Sequence, residues 1–302
     1  MEQGFRGAGM LFALLAAVGF SFKAVLVKLA YRHGVDAETL LALRMGFALP
    51  VLLVMGGWAQ WRGGRAPLSA KDWGWLGALG FFGYYVASYL DFLGLKFITA
   101  ALERLILFIY PTLVIILSAL FLGKPVTRRT LLALSLCYAG IALAVAHDLR
   151  LPGSPRDVLI GTILVFGSAL SYALYIMGNG HVVERIGPTR VTAFATSAAC
   201  LMAIGQFFAL RPADTLLVQP VEVYGLAFAM AILATVLPAW MLSEAIRRLG
   251  AGPVSLTGTL GPVMTLGLGW LFLDEALGAA QLGGAALVII GVLVISRRPG
   301  KA

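Results

Sequence analysis

Long apolar runs, separated by short stretches that carry most of the Lys and Arg residues, divide the chain from end to end. A helix crosses a hydrocarbon core of about 30 Å with roughly 20 residues. A membrane β-barrel would instead show alternating segments of about ten residues. The pattern therefore predicts an all-α integral membrane protein of ten transmembrane helices. The ten runs cover approximately 8–30, 38–60, 73–95, 99–122, 128–146, 157–179, 190–210, 222–247, 253–273 and 278–296.

Composition agrees with this prediction and excludes a water-soluble domain. Hydrophobic residues make up 60% of the chain and charged residues 12%, against roughly 45–50% and 25% in soluble domains. The formal net charge is +9, but the basic residues punctuate apolar runs instead of forming one patch, so no nucleic acid partner is expected. Cys137 and Cys200 lie inside apolar runs without a CxxC motif, which indicates buried small side chains and not metal ligands.

The basic residues of the loops predict the orientation. If the amino terminus is cytoplasmic, 14 Lys and Arg residues of the loops and termini lie on the cytoplasmic side and 6 on the other. Cytoplasmic loops are enriched in Lys and Arg. We therefore expect a multi-pass protein of the bacterial inner membrane with both termini in the cytoplasm.

The two halves of the chain align with each other at a nearly constant shift. Pro111 aligns with Pro262, a shift of 151 residues, and Gly140 aligns with Gly291 at the same shift. A proline, a helix end and a glycine in register predict a true internal repeat. The other matched pairs are Leu122 with Leu273, Ala100 with Ala251 and Lys96 with Arg247.

Each predicted repeat has five spans, so the second must enter the membrane upside down relative to the first. We predict a first repeat over 1–148, a linker over 149–156 and a second repeat over 157–302. Inverted repeats around a cavity near the bilayer midplane are typical of many secondary transporters. This organisation predicts transport by alternating access.

Two stretches resemble a known family. GPVMTLGLGWLFLDEALGAAQLGGAALVIIGVLVISRR, from Gly261 to Arg298, resembles the end of an EamA domain of the drug/metabolite transporter superfamily, and IYPTLVIILSALFLGKPVTRRTLLALSLCYAGIALAV, from Ile109, resembles its counterpart. The resemblance implies ten helices in two inverted repeats, a central cavity, and export or exchange of amino acids or related metabolites. Among ten-helix members it suggests a YddG-like amino acid exporter. The first half departs from the family pattern at one place. It has Gly123 and Lys124 where the second half has Asp274 and Glu275, and the family often carries an acid there.

Ionisable residues inside the apolar runs are the first candidates for function, because a charge at the bilayer centre costs about 2.5–3.5 kcal/mol on insertion scales. Five of them share the outward third of the first four helices and carry three positive and two negative charges. Arg44 is the residue predicted to bind a carboxylate group of the solute, since a guanidinium can donate two hydrogen bonds to a planar anion. A structural salt-bridge network and a gate that opens during transport are the alternatives. The five are Lys23, Arg44, Asp91, Glu103 and Arg104.

Proton coupling would need a carboxyl group near the cavity, and Asp91 and Glu103 are the candidates. A sixth ionisable residue, Glu244, stands four residues before Arg248. Glu before Arg at this spacing forms a favourable helical pair. We therefore predict a structural role for Glu244.

Two polar helix faces are predicted to line the cavity. The first, on helix three, combines an aromatic hydroxyl with an acid at a spacing of i, i+4, i+7. The second, on helix six, has the spacing i, i+3, i+7, and its tyrosines could stack on or hydrogen-bond to a solute. The first face consists of Tyr84, Ser88 and Asp91, and the second of Tyr172, Tyr175 and Asn179.

Pro111 and Pro262 are predicted to lie inside helices four and nine. A proline there removes a backbone hydrogen bond and bends the helix. The two matched prolines are interpreted either as paired hinges that move during transport or as sites of static helix curvature.

The leading hypothesis is a secondary transporter that exports small polar metabolites, with amino acids or related carboxylates as the expected substrates. The alternatives are a passive facilitator or exchanger of another metabolite class and an integral-membrane enzyme. The sequence contains no HExxH, G-x-S-x-G or CxxC motif, which argues against the enzyme. We expect the lipid bilayer and a small-molecule substrate as partners, no cofactor, no metal and no catalytic residues, and a monomer as the simplest assembly.

Overall fold

The computed structural model describes residues 2–62, 67–123, 127–151, 154–249 and 260–296. Within these ranges the chain forms helices joined by short connections and contains no β-strand. This confirms the all-α prediction for the described part. The helices are α1 (Glu2–Tyr31), α2 (Ala37–Arg62), α3 (Ala70–Gly80), α4 (Ala87–Gly94), α5 (Ala100–Leu107), α6 (Tyr110–Leu122), α7 (Arg128–Asp148), α8 (Pro155–Ile186), α9 (Pro188–Leu210), α10 (Val221–Ala231), α11 (Leu237–Leu249), α12 (Leu260–Leu273) and α13 (Ala279–Ser296).

Eight helical runs of the described residues are long and apolar enough to cross a membrane, and two shorter apolar helices follow them. The shorter ones are Leu260–Leu273 and Ala279–Val294. The start of the ninth predicted run, at 253, lies outside the described residues. Large apolar side chains cover the outside of the bundle, as expected of a surface that faces lipid. Examples are Val54, Leu120, Ile163, Leu201 and Leu271.

Two spans contain a π-helical segment at matching positions. Phe81–Val86 joins α3 to α4, and Ile232–Val236 joins α10 to α11. The two segments begin 151 residues apart, which is the shift found in the sequence. A π-helical turn accommodates an extra residue and often occurs at functional sites. The matched segments therefore support the internal repeat independently of residue identity.

The ends of α6 and α12 also match. Gly123, after α6, has φ +62°, and Asp274, after α12, has φ +58°. A left-handed residue commonly ends a helix, and glycine adopts this conformation most easily. Asp274 is the only residue other than glycine with a positive φ in the described part. The two helices therefore end with the same backbone geometry, although different residues supply it.

Helices α7 and α13 pack with their backbones in close contact. A Cβ atom added to Gly140 would lie 2.5 Å from the Gly284 carbonyl oxygen, and one added to Gly291 would lie 2.8 Å from the Ala133 carbonyl oxygen. These contacts are related by the same shift, because Gly291 corresponds to Gly140 and Gly284 to Ala133. Small residues permit this close approach of two apolar helices. The aligned glycines are therefore packing residues.

Contacts between helix ends define one end of the bundle. Asp148, the last residue of α7, accepts hydrogen bonds from Thr99, which precedes α5, and from Gln281 near the start of α13. We call this the Asp148 end. The same end contains the ion pairs of Arg32 with Asp274 and of Arg211 with Asp36 and Glu38.

The opposite end contains the other termini of these helices. Asp72, in the first turn of α3, forms an ion pair with Arg185 near the end of α8, and we call this the Asp72 end. Successive spans therefore run in alternating directions in the described part. Further contacts at this end join Gly9 to Leu249, Gly56 to Phe194 and Arg129 to Val294.

Pro111 lies inside the fourth span, Ala100–Phe121, as the sequence predicts, but the helix of this span is not continuous. The fourth span is interrupted at Phe108 and Ile109, and Pro111 occupies the first turn of α6. Proline is tolerated there, because the first N–H groups of a helix have no partner within that helix. Pro262 lies in α12, but the residues before Leu260 lie outside the described part, so the predicted bend at Pro262 stays a prediction.

Candidate functional site

Three charged side chains meet between α1, α4 and α5. The Nζ atom of Lys23 lies 2.6 Å from Asp91 Oδ2 and 3.2 Å from Glu103 Oε1. Both carboxyl side chains are at most 2% exposed, while the lysine is 17% exposed. We call these residues the charged cluster. Lys23 precedes the end of α1 by about 12 Å at 1.5 Å per residue, so the cluster lies toward the Asp148 end.

The charges of this cluster do not balance, because one ammonium group faces two carboxyl groups. The remaining oxygens, Asp91 Oδ1 and Glu103 Oε2, have no hydrogen-bond donor among the described residues. A buried charge without a partner is costly, and two carboxyl groups that share one site can hold a proton between them. The cluster therefore has acceptor oxygens that no described residue satisfies, which makes it a candidate functional site.

Arg44 lies beside the cluster but is held by other groups. Its Nε donates a hydrogen bond to Thr235 Oγ1 at 3.1 Å, and its guanidinium lies over the Phe92 ring, 5.3 Å from the centroid. Thr235 belongs to the π-helical segment Ile232–Val236 and donates to the carbonyl oxygen of Met230. Arg44 therefore connects α2 to the irregular segment of the eighth span.

Arg104 follows Glu103 on α5 and lies against α12. A Cβ atom added to Gly261 would be 2.6 Å from Arg104 Nη2, so the guanidinium rests on the glycine backbone. Its charge also interacts with the phenol groups of Tyr110 and Tyr172. Arg104 Nε is buried and makes no hydrogen bond in the described part. Arg104 therefore lies between the charged cluster and a group of tyrosines.

These tyrosines form a continuous chain of ring contacts across the fourth, sixth and third spans. The Tyr110 and Tyr172 centroids are 5.1 Å apart, Tyr172 and Tyr175 are 5.4 Å apart, and Tyr175 and Tyr84 are 5.3 Å apart. The hydroxyl groups of Tyr84 and Tyr175 are hydrogen-bonded at 3.2 Å, and Asn179 Nδ2 donates to Tyr175. We call these five residues the tyrosine cluster. Its hydroxyl groups and ring faces offer hydrogen bonds and stacking to a polar solute.

The predicted face on helix three is modified by the π-helical segment. Tyr84 lies inside Phe81–Val86, whereas Ser88 and Asp91 lie in the regular helix α4. Ser88 is partly buried one turn before Asp91. The three residues are therefore not on one regular α-helical face, since a π-helical turn alters the angular spacing. Tyr84 belongs to the tyrosine cluster, and Asp91 belongs to the charged cluster.

Glu275 ties three spans together at the Asp148 end. Its Oε1 accepts a hydrogen bond from the Ala100 amide at 2.9 Å and pairs with Lys28 Nζ at 3.4 Å, while Oε2 accepts from the Ala101 amide. A carboxylate at a helix start satisfies amide groups that have no partner in the helix and favourably meets the helix dipole. The acid after α12 therefore caps α5.

At the Asp72 end, Glu244 and Arg248 form the predicted pair. Arg248 Nε donates to Glu244 Oε1 at 2.8 Å, and the Arg248 guanidinium lies 4.8 Å from the Phe12 ring centroid. This confirms the helical pair expected from the sequence and joins α11 to α1.

An apolar groove of about 380 Å³ lies between α12 and α13. Leu266, Leu277 and Ile289 are among its lining residues, and no member of either cluster lines it. This apolar lining suits a hydrocarbon chain and not a polar solute, so the groove is not a candidate substrate site.

The EamA-like transporter family matches this chain twice, over residues 7–146 and 159–297. The chain belongs to this family. It is 30% identical to the uncharacterized transporter YcbK of Bacillus subtilis, over 97% of this chain and 95% of YcbK. It is 27% identical to the pseudopaline exporter CntI of Pseudomonas aeruginosa, over 96% of both chains.

A solved crystal structure shares the fold of this EamA-family protein. It superposes with a TM-score of 0.66 at 18% identity and covers 97% of this chain and 98% of the solved one. Together with the eight candidate spans and the two shorter apolar helices, these comparisons make the protein a multi-pass membrane transporter and not an enzyme. The narrower prediction of a YddG-like amino acid exporter stays a prediction.

Sequence reasoning found most members of both clusters in this EamA-family protein but missed Tyr110 of the tyrosine cluster and two residues that contact the neighbouring arginines. Tyr110, Thr235 and Gly261 contact Tyr172, Arg44 and Arg104 respectively. Tyr110 immediately precedes Pro111, and Thr235 lies in a π-helical segment that no hydrophobic pattern reveals. Only the position of Tyr110 beside the matched proline offered a signal in the sequence.

Proposed function

We propose that this EamA-family protein is a secondary transporter that exports small polar metabolites, with amino acids or related carboxylates as substrates, by alternating access across the bacterial inner membrane. The observation that carries the proposal is the incompletely paired charged cluster, which adjoins the tyrosine cluster through Arg104. Charged side chains are costly on a helix surface that faces lipid, whereas a pathway for polar solutes needs them.

The paired geometry of the halves supports alternating access. The start of α1 lies at the Asp72 end, while the start of α8, its counterpart in the second half, lies near Phe97 and Ile98 at the Asp148 end. The two halves then have opposite directions in the bilayer. Inverted halves can exchange inward-open and outward-open roles around one central site.

The charges are unequally distributed between the halves. At the shift of 151 residues, Lys23 corresponds to Leu174, Arg44 to Ala195 and Asp91 to Leu242. With both termini in the cytoplasm, the charged cluster lies toward the outer surface, where Glu275 and Asp148 also tie spans together. We infer that ion pairs close the outer gate and that apolar and aromatic contacts close the inner gate.

Transport by purified protein in liposomes tests the proposal. Counterflow of radiolabelled amino acids and organic acids should depend on the protein, and an imposed pH gradient should drive accumulation. Asp91→Asn or Glu103→Gln should abolish the gradient-driven part while exchange continues, and Glu244→Gln is the matched control outside the cluster.

Two other outcomes would change the proposal. Flux that runs only downhill and ignores the pH gradient would identify a passive facilitator and remove Asp91 and Glu103 as coupling acids. If no amino acid or organic acid shows protein-dependent flux, the proposed substrate class is wrong.

A further inference from the structure

We propose that Arg104, and not Arg44, binds the carboxylate group of the transported solute, with Tyr110 and Tyr172 beside it. This inference rests on the proposed function and specifies its site. It assigns the substrate class as small molecules that carry a free carboxylate, held at the junction of α5, α8 and α12.

The first argument is that the other two basic side chains of the site already have partners. Lys23 is paired with two carboxyl groups. Arg44 is only 6% exposed, its Nε bonds to Thr235 and its guanidinium is stacked on Phe92, although its Nη1 has no hydrogen-bond partner among the described residues. Arg104 forms no ion pair or side-chain hydrogen bond with the described residues, and its Nε is buried. A guanidinium inside a membrane protein needs an anionic partner, and a bound carboxylate would supply it.

The second argument is that Glu103 does not fill this role. Successive residues of an α-helix point about 100° apart, and Glu103 is directed to Lys23 while Arg104 is directed to Gly261. The charge of Arg104 still acts on Glu103. A solute carboxylate can therefore approach Arg104 without displacing the acid of the charged cluster.

The third argument concerns the surface against which the guanidinium lies. It rests on the bare backbone of Gly261, where a Cβ atom would overlap with Nη2 at 2.6 Å. The side chain as a whole remains partly accessible. A planar guanidinium backed by a flat glycine surface can present two parallel N–H donors to a carboxylate.

The surroundings specify the rest of the solute. The charge of Arg104 acts on the phenol groups of Tyr110 and Tyr172, and the Tyr172 ring contacts those of Tyr110 and Tyr175. The fourth span is interrupted between Arg104 and Pro111, so the Leu107 carbonyl has no i+4 amide donor. That carbonyl and the tyrosine hydroxyls can accept hydrogen bonds from an ammonium group. The site therefore fits an α-amino acid better than a simple carboxylic acid.

The test compares amino acids with their amides, which lack the negative charge. We expect L-phenylalanine and L-histidine to stabilise the purified full chain against heat and to bind by calorimetry, and phenylalaninamide and histidinamide to bind about tenfold more weakly or not at all. Arg104→Gln should abolish this preference, Arg104→Lys should retain part of it, and Arg44→Gln should leave it unchanged.

A glycine pair provides a second test that leaves every charge in place. Gly261→Ala should move the guanidinium and weaken amino acid binding about tenfold, because the new methyl group overlaps with it. Gly267→Ala on the same helix is the matched control, since nothing lies within 4 Å of its Cβ position. This pair keeps the proposal testable if Arg104→Gln does not fold.

Four results would overturn the inference. The first is that the amides bind the wild type as tightly as the amino acids do. The second and third are that the preference for a free carboxylate survives in Arg104→Gln, or is lost in Arg44→Gln. The fourth is that Gly261→Ala leaves amino acid binding unchanged. Each would leave protein-dependent transport, and hence the proposed function, intact. Absence of transport of any tested solute by the wild type would reject the proposed function itself.

Discussion

The ammonium group of Lys23 lies 2.6 Å from a carboxylate oxygen of Asp91, so the first and third spans share one buried ion pair. A second acid, Glu103, contacts the same lysine from the fourth span. The pair therefore joins three spans through a single ammonium group. Movement of any one of these spans must break or remake these contacts.

Removal of the shared cation should strongly destabilise the protein. Lys23→Met leaves Asp91 and Glu103 buried without a counter-charge, and breaking a buried pair from one side costs about 3–5 kcal/mol. The measurement is the unfolding free energy in detergent. Lys96→Met is the matched control, because Lys96 is exposed and its ammonium group lies 5.9 Å from the centroid of the Tyr31 ring. Equal losses at both positions would contradict a special role for Lys23.

Arg44 and Thr235 should be energetically coupled. Arg44→Gln and Thr235→Val each remove the 3.1 Å hydrogen bond, so the double variant should lose less stability than the two single variants together. The expected coupling is about 0.5–3 kcal/mol. A double-mutant cycle of unfolding free energies measures it. Additive losses would show that the hydrogen bond contributes nothing to the connection between α2 and the π-helical segment.

The contact between α7 and α13 should not tolerate a methyl group at Gly140. Gly140→Ala places a Cβ atom 2.5 Å from the Gly284 carbonyl oxygen, and such overpacking costs about 1–3 kcal/mol. Gly283→Ala, on α13, should have little effect, because nothing lies within 4 Å of that position. The fraction of monodisperse protein after heating, measured by size-exclusion chromatography, compares the two. Similar losses would contradict a close contact between the two backbones.

Substitutions at the residues that end α6 and α12, Gly123 and Asp274, should change the stability of the protein in opposite directions. Asp274 has φ +58°, so Asp274→Gly should stabilise the protein by up to about 1 kcal/mol. Gly123→Ala should destabilise it by about 1 kcal/mol, because Gly123 has φ +62° and alanine is strained there. Thermal denaturation of the two variants tests the signs. A loss of stability in Asp274→Gly would mean that the weak pair with Arg32, at 3.9 Å, outweighs the backbone strain.

Glu275 should protect the first amide groups of α5 from solvent exchange. Glu275→Ala removes the acceptor of the Ala100 and Ala101 amides, and loss of a cap costs about 1 kcal/mol. Hydrogen exchange of a peptide that covers this turn should become about fivefold faster. Glu222→Ala, an exposed acid in the first turn of α10, is the control and should leave that peptide unchanged. Unaltered exchange in Glu275→Ala would exclude the capping role.

The sequence by itself determined the helical architecture and which residues to suspect. Twenty-residue apolar runs must form helices in a bilayer because every backbone group there needs an internal partner. Buried charges are costly in the same environment, so Lys23, Asp91 and Glu103 were identifiable without a structure. The shift of 151 residues was also readable from the chain, and the matched π-helical segments agree with it.

Tertiary structure decided which of those residues meet. Hydrophobic periodicity carries no information about contacts between distant helices, so Tyr110, Thr235 and Gly261 were missed. The sequence predicts that Pro111 disturbs the fourth helix, but residue type does not give the form of the disturbance, which is a break at Phe108 and Ile109. Arg44 and Arg104 are equivalent as residue types. Only packing gives one of them a hydrogen-bond partner and leaves the other without one in the described part of the chain, because side-chain partners are set by the arrangement of whole helices.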